Sequence, residues 1–375
     1  MSLIVFPFKR EDPAVVESNL RTAARHPRVE AVWAVAAGEG EDLDTVAVIG
    51  RQVAADEGKP VEVFPQERIG RFRSGKGDGM NTALRHAATA GSERVHFYDA
   101  DITNFGPDWI DGAEDRADRG HAIVRHRFPR AATDAMITWM VTRPGLAMLF
   151  PGTLLPRLGQ PLGGELLLSG EAVARLASDP LVTARSDWGI DTVITYTTSA
   201  MGLPLYEHLV PTGKRHALYG SLDEIRTMVL ECLDAVRSLR GLPRPDSSWD
   251  ADPPAPVPED LKRTVAYDVT RTEALLTAAW TEEEVALAEG MPEARAILAN
   301  RDRPNYLFMD AELWGGVLRI LFDRFVLGDP AWEGLAFRLW AMRVLCYTTT
   351  VATRGYDAAM EYLEGTIRDY ETRPA

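Results

Sequence analysis

The chain has 375 residues, 46% of them hydrophobic and 26% charged, an ordinary globular composition with room for one large domain and a smaller one. Its formal net charge of −14 argues against nucleic acid and anionic membrane as partners, because an acidic protein has no overall attraction for a polyanion. A local cationic site for a small phosphorylated ligand stays open. Two cysteines, Cys232 and Cys346, are too few for a disulfide scaffold or a zinc site. Both are expected as buried free thiols in a reducing cytoplasm. The opening Met-Ser-Leu-Ile-Val-Phe-Pro-Phe-Lys has no basic start, and Pro7 cuts its short apolar run, so a signal peptide is not expected. No apolar run approaches the ~20 residues that span a bilayer; the longest is broken by Arg143 and Pro144.

In chain order, the first half alternates short apolar runs with helical patterns. Leu3–Phe8 reads as a buried strand. Pro13–His26 reads as a helix, with Val15, Val16, Leu20 and Ala23 or Ala24 along one side. Val29–Ala37 is a second strand and Asp44–Ala55 a second helix. Pro60–Phe64 is a third strand, Met80–Ala90 a helix, and Arg94–Tyr98 a fourth strand. Strands and helices in turn predict an α/β domain with a mostly parallel sheet covered on both faces. Ligands of such sheets sit beyond the carboxyl ends of the strands. Lys9, Gln66 and Asp99–Asp101 each follow an apolar strand directly and are expected near one another.

The second half changes character. His121–Phe128 reads as a strand, with a helix from about Thr133. Ser221–Arg240 predicts a helix. Ser221 and Glu224 form a capping-box pattern. Ile225, Met228, Val229, Cys232, Val236 and Leu239 make its apolar stripe, and Arg237, Arg240 and Gly241 suit its end. Residues 241–258 are rich in proline and polar residues and predict a linker or long surface loop. From about 259 onward the chain looks helical, and Thr281 with Glu284 repeats the capping box. Leu313–Val326 and Trp332–Val351 are dense in Trp, Leu, Phe and Val. Helices apolar on more than one face are buried, in a bundle or at a subunit interface.

The sharpest local feature is His96-Phe-Tyr-Asp-Ala-Asp101. Carboxylates at i and i+2 after an apolar strand project to one side of an extended chain. They can share a divalent cation and its bound diphosphate, or divide the work between metal and ribose. Oxygen ligands suit Mg2+ or Mn2+, which would neutralise a departing nucleoside diphosphate. The same spacing occurs at Asp42/Asp44 and Asp250/Asp252, where solvated acids are expected; only Asp99/Asp101 follows an apolar strand. Gly75-Lys-Gly-Asp-Gly-Met-Asn81 opens a helix. Its glycines and Lys76 at a helix N-terminus favour phosphate, yet the P-loop spacer and hydroxyl are missing, and a plain turn before a helix explains it equally well. Arg125, Arg127 and Arg130 flank a strand leading to Asp134 and Thr138, one helical turn apart. An arginine here could hold a small hydroxy acid through its carboxylate; a surface salt bridge explains the same residues. Pro161-Leu-Gly-Gly-Glu165 is a tight turn with an acid. Asp187 and Asp191, at i and i+4, would put two like charges on one helix face, which calls for a cation, a sugar hydroxyl or solvent. His216, in Gly213-Lys-Arg-His-Ala-Leu-Tyr-Gly220 with Tyr219, could close a metal site.

Taken together, Phe6-Pro-Phe-Lys9, Gly75–Leu84, His96–Ile102, Phe105–Ile110, Thr133–Trp139, Gln160–Leu166 and Ser186–Thr192 resemble, in this order, segments of the mannosylglycerate synthase family. Arg354-Gly-Tyr-Asp357 is similar as well. The resemblance covers nearly the whole chain and is weakest around 38–60 and 241–262. It implies a GT-A fold, with a nucleotide-binding, mostly parallel sheet flanked by helices over residues 1–220. An all-helical C-terminal region over 221–375 would follow and offer a homo-oligomer interface. The implied activity is that of a cytoplasmic, metal-dependent, retaining glycosyltransferase that joins mannose from GDP-mannose to D-glycerate. The product would be α-mannosylglycerate, a compatible solute. GDP-glucose with glycerate or a related 2-hydroxy acid is the alternative.

Carried over residue by residue, the resemblance assigns Lys9, Glu11, Gln66 and Lys76 to the guanosine diphosphate portion and Asp99 to ribose and sugar. Asp101 and His216 would bind Mg2+ or Mn2+. Leu162 and Gly163 would lie beside the anomeric carbon, and Asp191 would position, or take a proton from, a reacting hydroxyl. Arg130, Asp134, Thr138 and Tyr219 would cradle glycerate. Retention by double displacement needs a nucleophile on the opposite face of the sugar, where the matched segment offers only Leu162 and Gly163. Same-face attack is therefore expected, the departing diphosphate oxygen accepting the acceptor's proton, with the protein supplying positioning and electrostatics.

Overall fold

The computed structural model describes residues 1–38, 40–216, 220–291, 293–301 and 305–373. The chain divides into two compact units. The first comprises Met1–Pro129, Leu158–Ala217 and Pro245–Pro256; the second comprises Arg130–Arg157, Leu218–Arg244 and Val257–Ala375.

The first unit is built on one sheet of β1 (Ser2–Phe8), β2 (Val29–Ala36), β3 (Val61–Pro65), β4 (Arg94–Phe97), β5 (Ile123–Arg127), β6 (Leu166–Ser169), β7 (Leu205–Leu209) and β8 (Trp249–Ala251). The strands lie in the order β3-β2-β1-β4-β6-β5-β7-β8. Only β6 runs antiparallel, to both β4 and β5. The expected α/β class with a mostly parallel sheet is therefore what forms. The central β1 reads as an unbroken apolar run because the sheet is buried on both faces: Leu3, Ile4, Val5 and Phe6 are all nearly inaccessible.

Helix α1 (Pro13–Arg25) starts where Asp12 accepts from the Ala14 N–H, with proline in the first turn. It buries Val16, Leu20, Ala23 and Ala24. Helix α2 spans Glu41–Glu57, and α3 spans Lys76–Ala90, four residues longer at its start than the apolar pattern showed. The buried Asp78 carboxylate explains that start. It accepts from Ile69 N (3.0 Å), Gly70 N (2.9 Å) and Ser74 Oγ (3.0 Å) and pairs with Arg68 (2.7 Å). Gly77 is required by close packing, since a Cβ there would lie 2.5 Å from the Arg185 carbonyl oxygen. Helix α4 spans Pro107–Asp118.

Three strands, β6, β7 and β8, are not among those read from the sequence. β6 is only four residues long, too short for a periodicity. β8 lies inside residues 241–258, expected as a linker or loop. It pairs with the edge strand β7, and Asp252 fastens it by accepting from Tyr206 Oη (2.7 Å), Arg116 (2.8 Å) and Leu209 N (2.9 Å).

The described elements of the second unit are helical. The principal helices are Arg143–Leu149, Arg226–Ser238, Ala311–Arg324, Pro330–Thr350 and Tyr356–Glu371. The aromatic-rich helices are buried within this unit: Trp314 and Trp340 are each 1% exposed. Trp314 Nε1 donates to the Met140 carbonyl at 2.7 Å, and Arg143 grips Glu364 with two hydrogen bonds of 2.8 and 2.9 Å. Cys232 and Cys346 are free and buried. The Thr281–Glu284 capping box forms in both directions. The Ser221–Glu224 box does not. Leu222–Ile225 makes a 3-10 turn, the Glu224 carboxylate accepts from Gly220 N instead (3.0 Å), and the α-helix begins at Arg226. The helix expected from Thr133 also starts later, because Ala135 takes a left-handed φ of 54° that no helix continues through. A π-helical turn follows at Thr138–Thr142. Among the described residues no helix is long and apolar enough to cross a membrane.

Candidate active site

At the carboxyl end of β4, Asp99 lies between two lysines. Lys76, in the first turn of α3, approaches Asp99 Oδ1 at 2.8 Å and Asp191 Oδ2 at 3.0 Å. Lys214 approaches Asp99 Oδ2 and Glu165 Oε1, each at 2.5 Å. The result is an alternating row, Glu165–Lys214–Asp99–Lys76–Asp191, in which both lysines and both outer carboxylates are largely buried. The Gly163–Gly164 turn packs directly on it. A Cβ on Gly164 would fall 2.4 Å from Lys76 Nζ and 3.0 Å from Asp99 Oδ1. A Cβ on Gly163 would meet Gln160 at 2.7 Å and Glu165 Oε2 at 3.4 Å.

The charges are unequal. Burial raises the Asp99 pKa, but Lys214 and Lys76 outweigh it and hold this carboxyl well below its ordinary range. Burial likewise opposes the Lys76 charge, and Asp191, Asp99 and Glu165 reverse that effect, so the ammonium is firmly protonated. At the ends of the row burial wins: the Glu165 and Asp191 carboxyls are both raised despite Lys214 and Lys76. Glu165 Oε2 and Asp191 Oδ1 are buried without a hydrogen-bond partner among the described residues. Buried polar atoms nearly always have one, so these two oxygens are open acceptors. Lys214 and Glu165 have no assigned role in the sequence reading, where only the Gly-Gly-Glu turn and the segment around His216 point toward them, and Arg125 appears there as one of three arginines able to hold a small carboxylate.

Asp101 is exposed, and its backbone is fixed from below. Asn19 Nδ2, on α1, donates to the carbonyls of both flanking residues, Ala100 (3.1 Å) and Ile102 (3.0 Å). The segment before His216 is tied to the same loop. Thr103 N donates to Arg215 O at 2.9 Å, Arg215 N to Asn104 Oδ1 at 2.9 Å, and Asn104 Nδ2 to Gly213 O at 2.8 Å. Asp101 and His216 therefore sit on adjoining segments. The Glu11 carboxyl lies nearby. Burial raises its pKa, and Asp101 and Asp99 add to the rise, while the Lys9 N–H donates to it. No group of three or more His, Cys, Asp or Glu side chains suited to a metal occurs among the described residues. An exposed carboxylate and an imidazole on adjoining segments, with crowded carboxylates around them, fit a Mg2+-like ion that takes its remaining oxygens from ligand phosphates and water.

Gln66 follows β3, as expected. Its Nε2 donates to Ser74 Oγ at 2.9 Å, and its Oε1 faces Gly79 of α3. Lys9 is exposed after β1, and Leu162 is half-buried in the turn. Asp187 and Asp191 do not share a helix face. Asp187 precedes the helix Ile190–Ala200, accepts from Gly189 N at 3.0 Å and lies 3.6 Å from Arg185, whereas Asp191 opens that helix and meets Lys76. Arg130, Asp134 and Thr138 belong to the second unit. Arg130 and Asp134 pair at 2.9 Å, Asp134 also accepts from Ala135 N at 2.6 Å, and Thr138 is buried in the π-helical turn. Because Asp134 precedes the helix, it does not share a helical face with Thr138. A strained Ala135 and a π-turn next to these residues are features that cluster at functional sites. Tyr219 lies outside the described residues.

Residues 2–238 match the family described as "Mannosylglycerate synthase, GT domain", and residues 261–367 match "Mannosylglycerate synthase C-terminal domain". Over its whole length the chain is 47% identical to a protein named mannosylglycerate synthase from Rhodothermus marinus, covering 96% of it. It is 43% identical to one of the same name from Selaginella moellendorffii, covering 90% of it. Among solved structures, glucosyl-3-phosphoglycerate synthase from Mycobacterium tuberculosis in complex with phosphoglyceric acid gives a TM-score of 0.51 at 23% identity, over 65% of this chain and 81% of that one. The same enzyme in complex with Mn2+, uridine diphosphate and glucosyl-3-phosphoglycerate gives 0.51 at 22%, over 70% and 92%. At such identities the likeness speaks for the fold.

Proposed function

This chain belongs to the mannosylglycerate synthase family, and we propose that it is a glycosyltransferase that forms α-mannosylglycerate from GDP-mannose and D-glycerate with retention at the anomeric carbon. The observation that carries this reading is the row Glu165–Lys214–Asp99–Lys76–Asp191, closed by a turn of two glycines and ending in two open carboxylate oxygens. Such a place suits a ring rich in hydroxyl donors.

In this reading Lys9, Glu11, Gln66 and Lys76 hold the guanosine diphosphate portion. Asp99 faces ribose and sugar, and Leu162 and Gly163 border the anomeric carbon. Asp101 and His216 would hold Mg2+ or Mn2+, which when bound would supply positive charge to the diphosphate. Arg130, Asp134, Thr138 and Tyr219 hold glycerate. The acceptor hydroxyl oxygen forms the new bond to the anomeric carbon as the bond to the diphosphate oxygen breaks. The hydroxyl proton passes to that departing oxygen, so the products are mannosylglycerate and GDP. Asp191 orients the reacting groups through its open oxygen. Leu162 and Gly163 themselves carry no nucleophilic side chain, which supports same-face attack; isolation of a glycosyl-enzyme adduct by mass spectrometry would overturn that step.

Two buried free cysteines support a cytoplasmic setting. A homo-oligomer is the proposed assembly, and a concentration-independent monomer mass in light scattering would remove it. The decisive test supplies D-glycerate, Mg2+ or Mn2+, and either GDP-mannose or GDP-glucose, and follows the new anomeric proton by NMR. An α-mannosyl product is expected. An α-glucosyl product alone would move the donor assignment, and no product from either donor would overturn the reading.

A further inference from the structure

We propose that Arg125 is a positioning residue for the transfer step, its buried guanidinium holding the Gln160–Gly163 turn at the height the reacting sugar requires. This rests on the glycosyl-transfer reading above.

Arg125 stands on β5 and is 1% exposed. A guanidinium stays charged even in such a place, and burial is the largest influence on it, lowering its pKa against the opposing fields of Asp191, Glu207 and Glu165. Despite those fields, it makes no ion pair among the described residues. Its acceptors are two main-chain carbonyls of one turn: Gly163 O at 3.1 Å and, more weakly, Gln160 O at 3.5 Å. Its Nε and Nη1 have no partner among the described residues.

Stability does not explain that arrangement. A buried charge without a partnering carboxylate is costly, and apolar residues of similar volume commonly replace buried ionic groups at no loss, or with a gain. What Arg125 does accomplish is local. The turn is braced on one side by Thr195, whose Oγ1 donates to Pro161 O at 2.6 Å from the helix that carries Asp191. On the other side the guanidinium draws the Gly163 carbonyl toward β5. A trans peptide places the Gly164 N–H opposite that carbonyl, so one cation fixes both the height of the turn and the direction of a main-chain donor. The same turn meets Lys76 and Asp99 through Gly164, which leaves little slack for a displaced sugar.

The test compares the full-length wild type with Arg125→Met and Arg125→Lys, reading melting temperature, kcat, the KM for the GDP-sugar and the acid limb of the kcat–pH profile. Arg125→Met is expected to melt at or above the wild-type temperature while kcat falls about 10²-fold, the cost of a displacement near 1 Å, with donor KM changed much less. Its acid limb should move to higher pH, because Arg125 is one of the groups that lower the Asp191 pKa. Arg125→Lys keeps the charge but not the fork, and should recover part of the lost kcat and most of the acid-limb position. Wild-type kcat in Arg125→Met would overturn the proposal. So would a kcat loss in both variants that follows a fall in melting temperature, since Arg125 would then be fold support. An inactive wild type would instead overturn the glycosyl-transfer reading, and the wild-type control alone reveals that case.

Discussion

Two buried polar clusters meet at the end of strand β4, one at His96 within it and one at Asp99 just beyond it, and they are built on opposite principles. The one around His96 is closed. Glu114 Oε1 meets His96 Nε2 at 2.8 Å, His96 Nδ1 meets Tyr98 Oη at 3.1 Å, Tyr98 Oη meets His126 Nε2 at 3.3 Å, and His126 Nδ1 meets His208 Nδ1 at 3.0 Å. Ser2 and Arg94 complete the shell of Glu114, and every side chain in this chain has a partner. The cluster around Asp99 is open. Asp191 Oδ1, Glu165 Oε2 and two nitrogens of Arg125 are buried with none among the described residues. A fully satisfied buried network rigidifies the fold, whereas a partly satisfied one is costly unless something else completes it. The closed cluster is scaffold for β4; the open one is shaped for a ligand.

The largest expected effect tests the open cluster directly. Asp191→Asn keeps the shape and removes the charge that faces Lys76 at 3.0 Å. A group that positions or exchanges a proton with a reacting hydroxyl is worth about 10²–10⁴-fold, so kcat should fall within that range while the melting temperature stays close to wild type. A collapse in stability with little specific loss of kcat would place Asp191 among the scaffold residues and erase the distinction. Gly164→Ala sharpens it further. The new Cβ would collide with the far end of the Lys76 side chain, so the fold can adapt, but Lys76 must shift from its place between Asp99 and Asp191. Roughly tenfold lower kcat with stability changed by about 1 kcal/mol or less is the expected result, read by steady-state kinetics and thermal melting. Unchanged kcat would mean that Lys76 is not needed where it stands.

The same contrast explains what the sequence made legible. β1 to β4 and α1 to α3 were readable to within a few residues, because the helices bury a periodic stripe and the strands bury short apolar runs. Lys9, Gln66 and Asp99–Asp101 were placed together by one rule about strand ends. Lys214 and Glu165 were not, because what gives them meaning is a meeting with Asp99 across 115 residues and with each other across 49. Arg125 looked like one of three arginines flanking a strand. Its distinction is the absence of an ion pair, which no sequence displays. Asp187 and Asp191 had helical spacing, but the helix begins between them. Residues 249–251 looked like part of a linker because proline surrounds them, and only an open edge on β7 makes them a strand.

The closed cluster yields smaller effects, and they should appear in stability alone. Glu114→Gln removes a charge that accepts from His96, Ser2 and Arg94. A loss of about 1–3 kcal/mol follows from the hydrogen bonds to a charged group, measured by denaturant titration, with kcat of the folded enzyme retained. A drop in kcat larger than the drop in folded fraction would show that the scaffold reaches into the chemistry.

The smallest effect is the pH dependence of that stability. Burial raises the Glu114 pKa, but its hydrogen bonds outweigh burial and hold it at about 2, against 4.5 for an ordinary glutamate. Between these values the unfolded chain binds a proton that the folded chain refuses. The contribution of Glu114 is therefore complete above pH 4.5 and is lost as pH falls toward 2, with a slope of at most about 1.4 kcal/mol per pH unit. Asp99, also held low, adds its own acid dependence, so the informative quantity is the difference between wild type and Glu114→Gln. The two stability curves should converge on acidification, because glutamine has no proton to gain. Parallel curves would mean that the Glu114 charge contributes nothing to the fold, and that the closed cluster is held by shape and not by its ionised end.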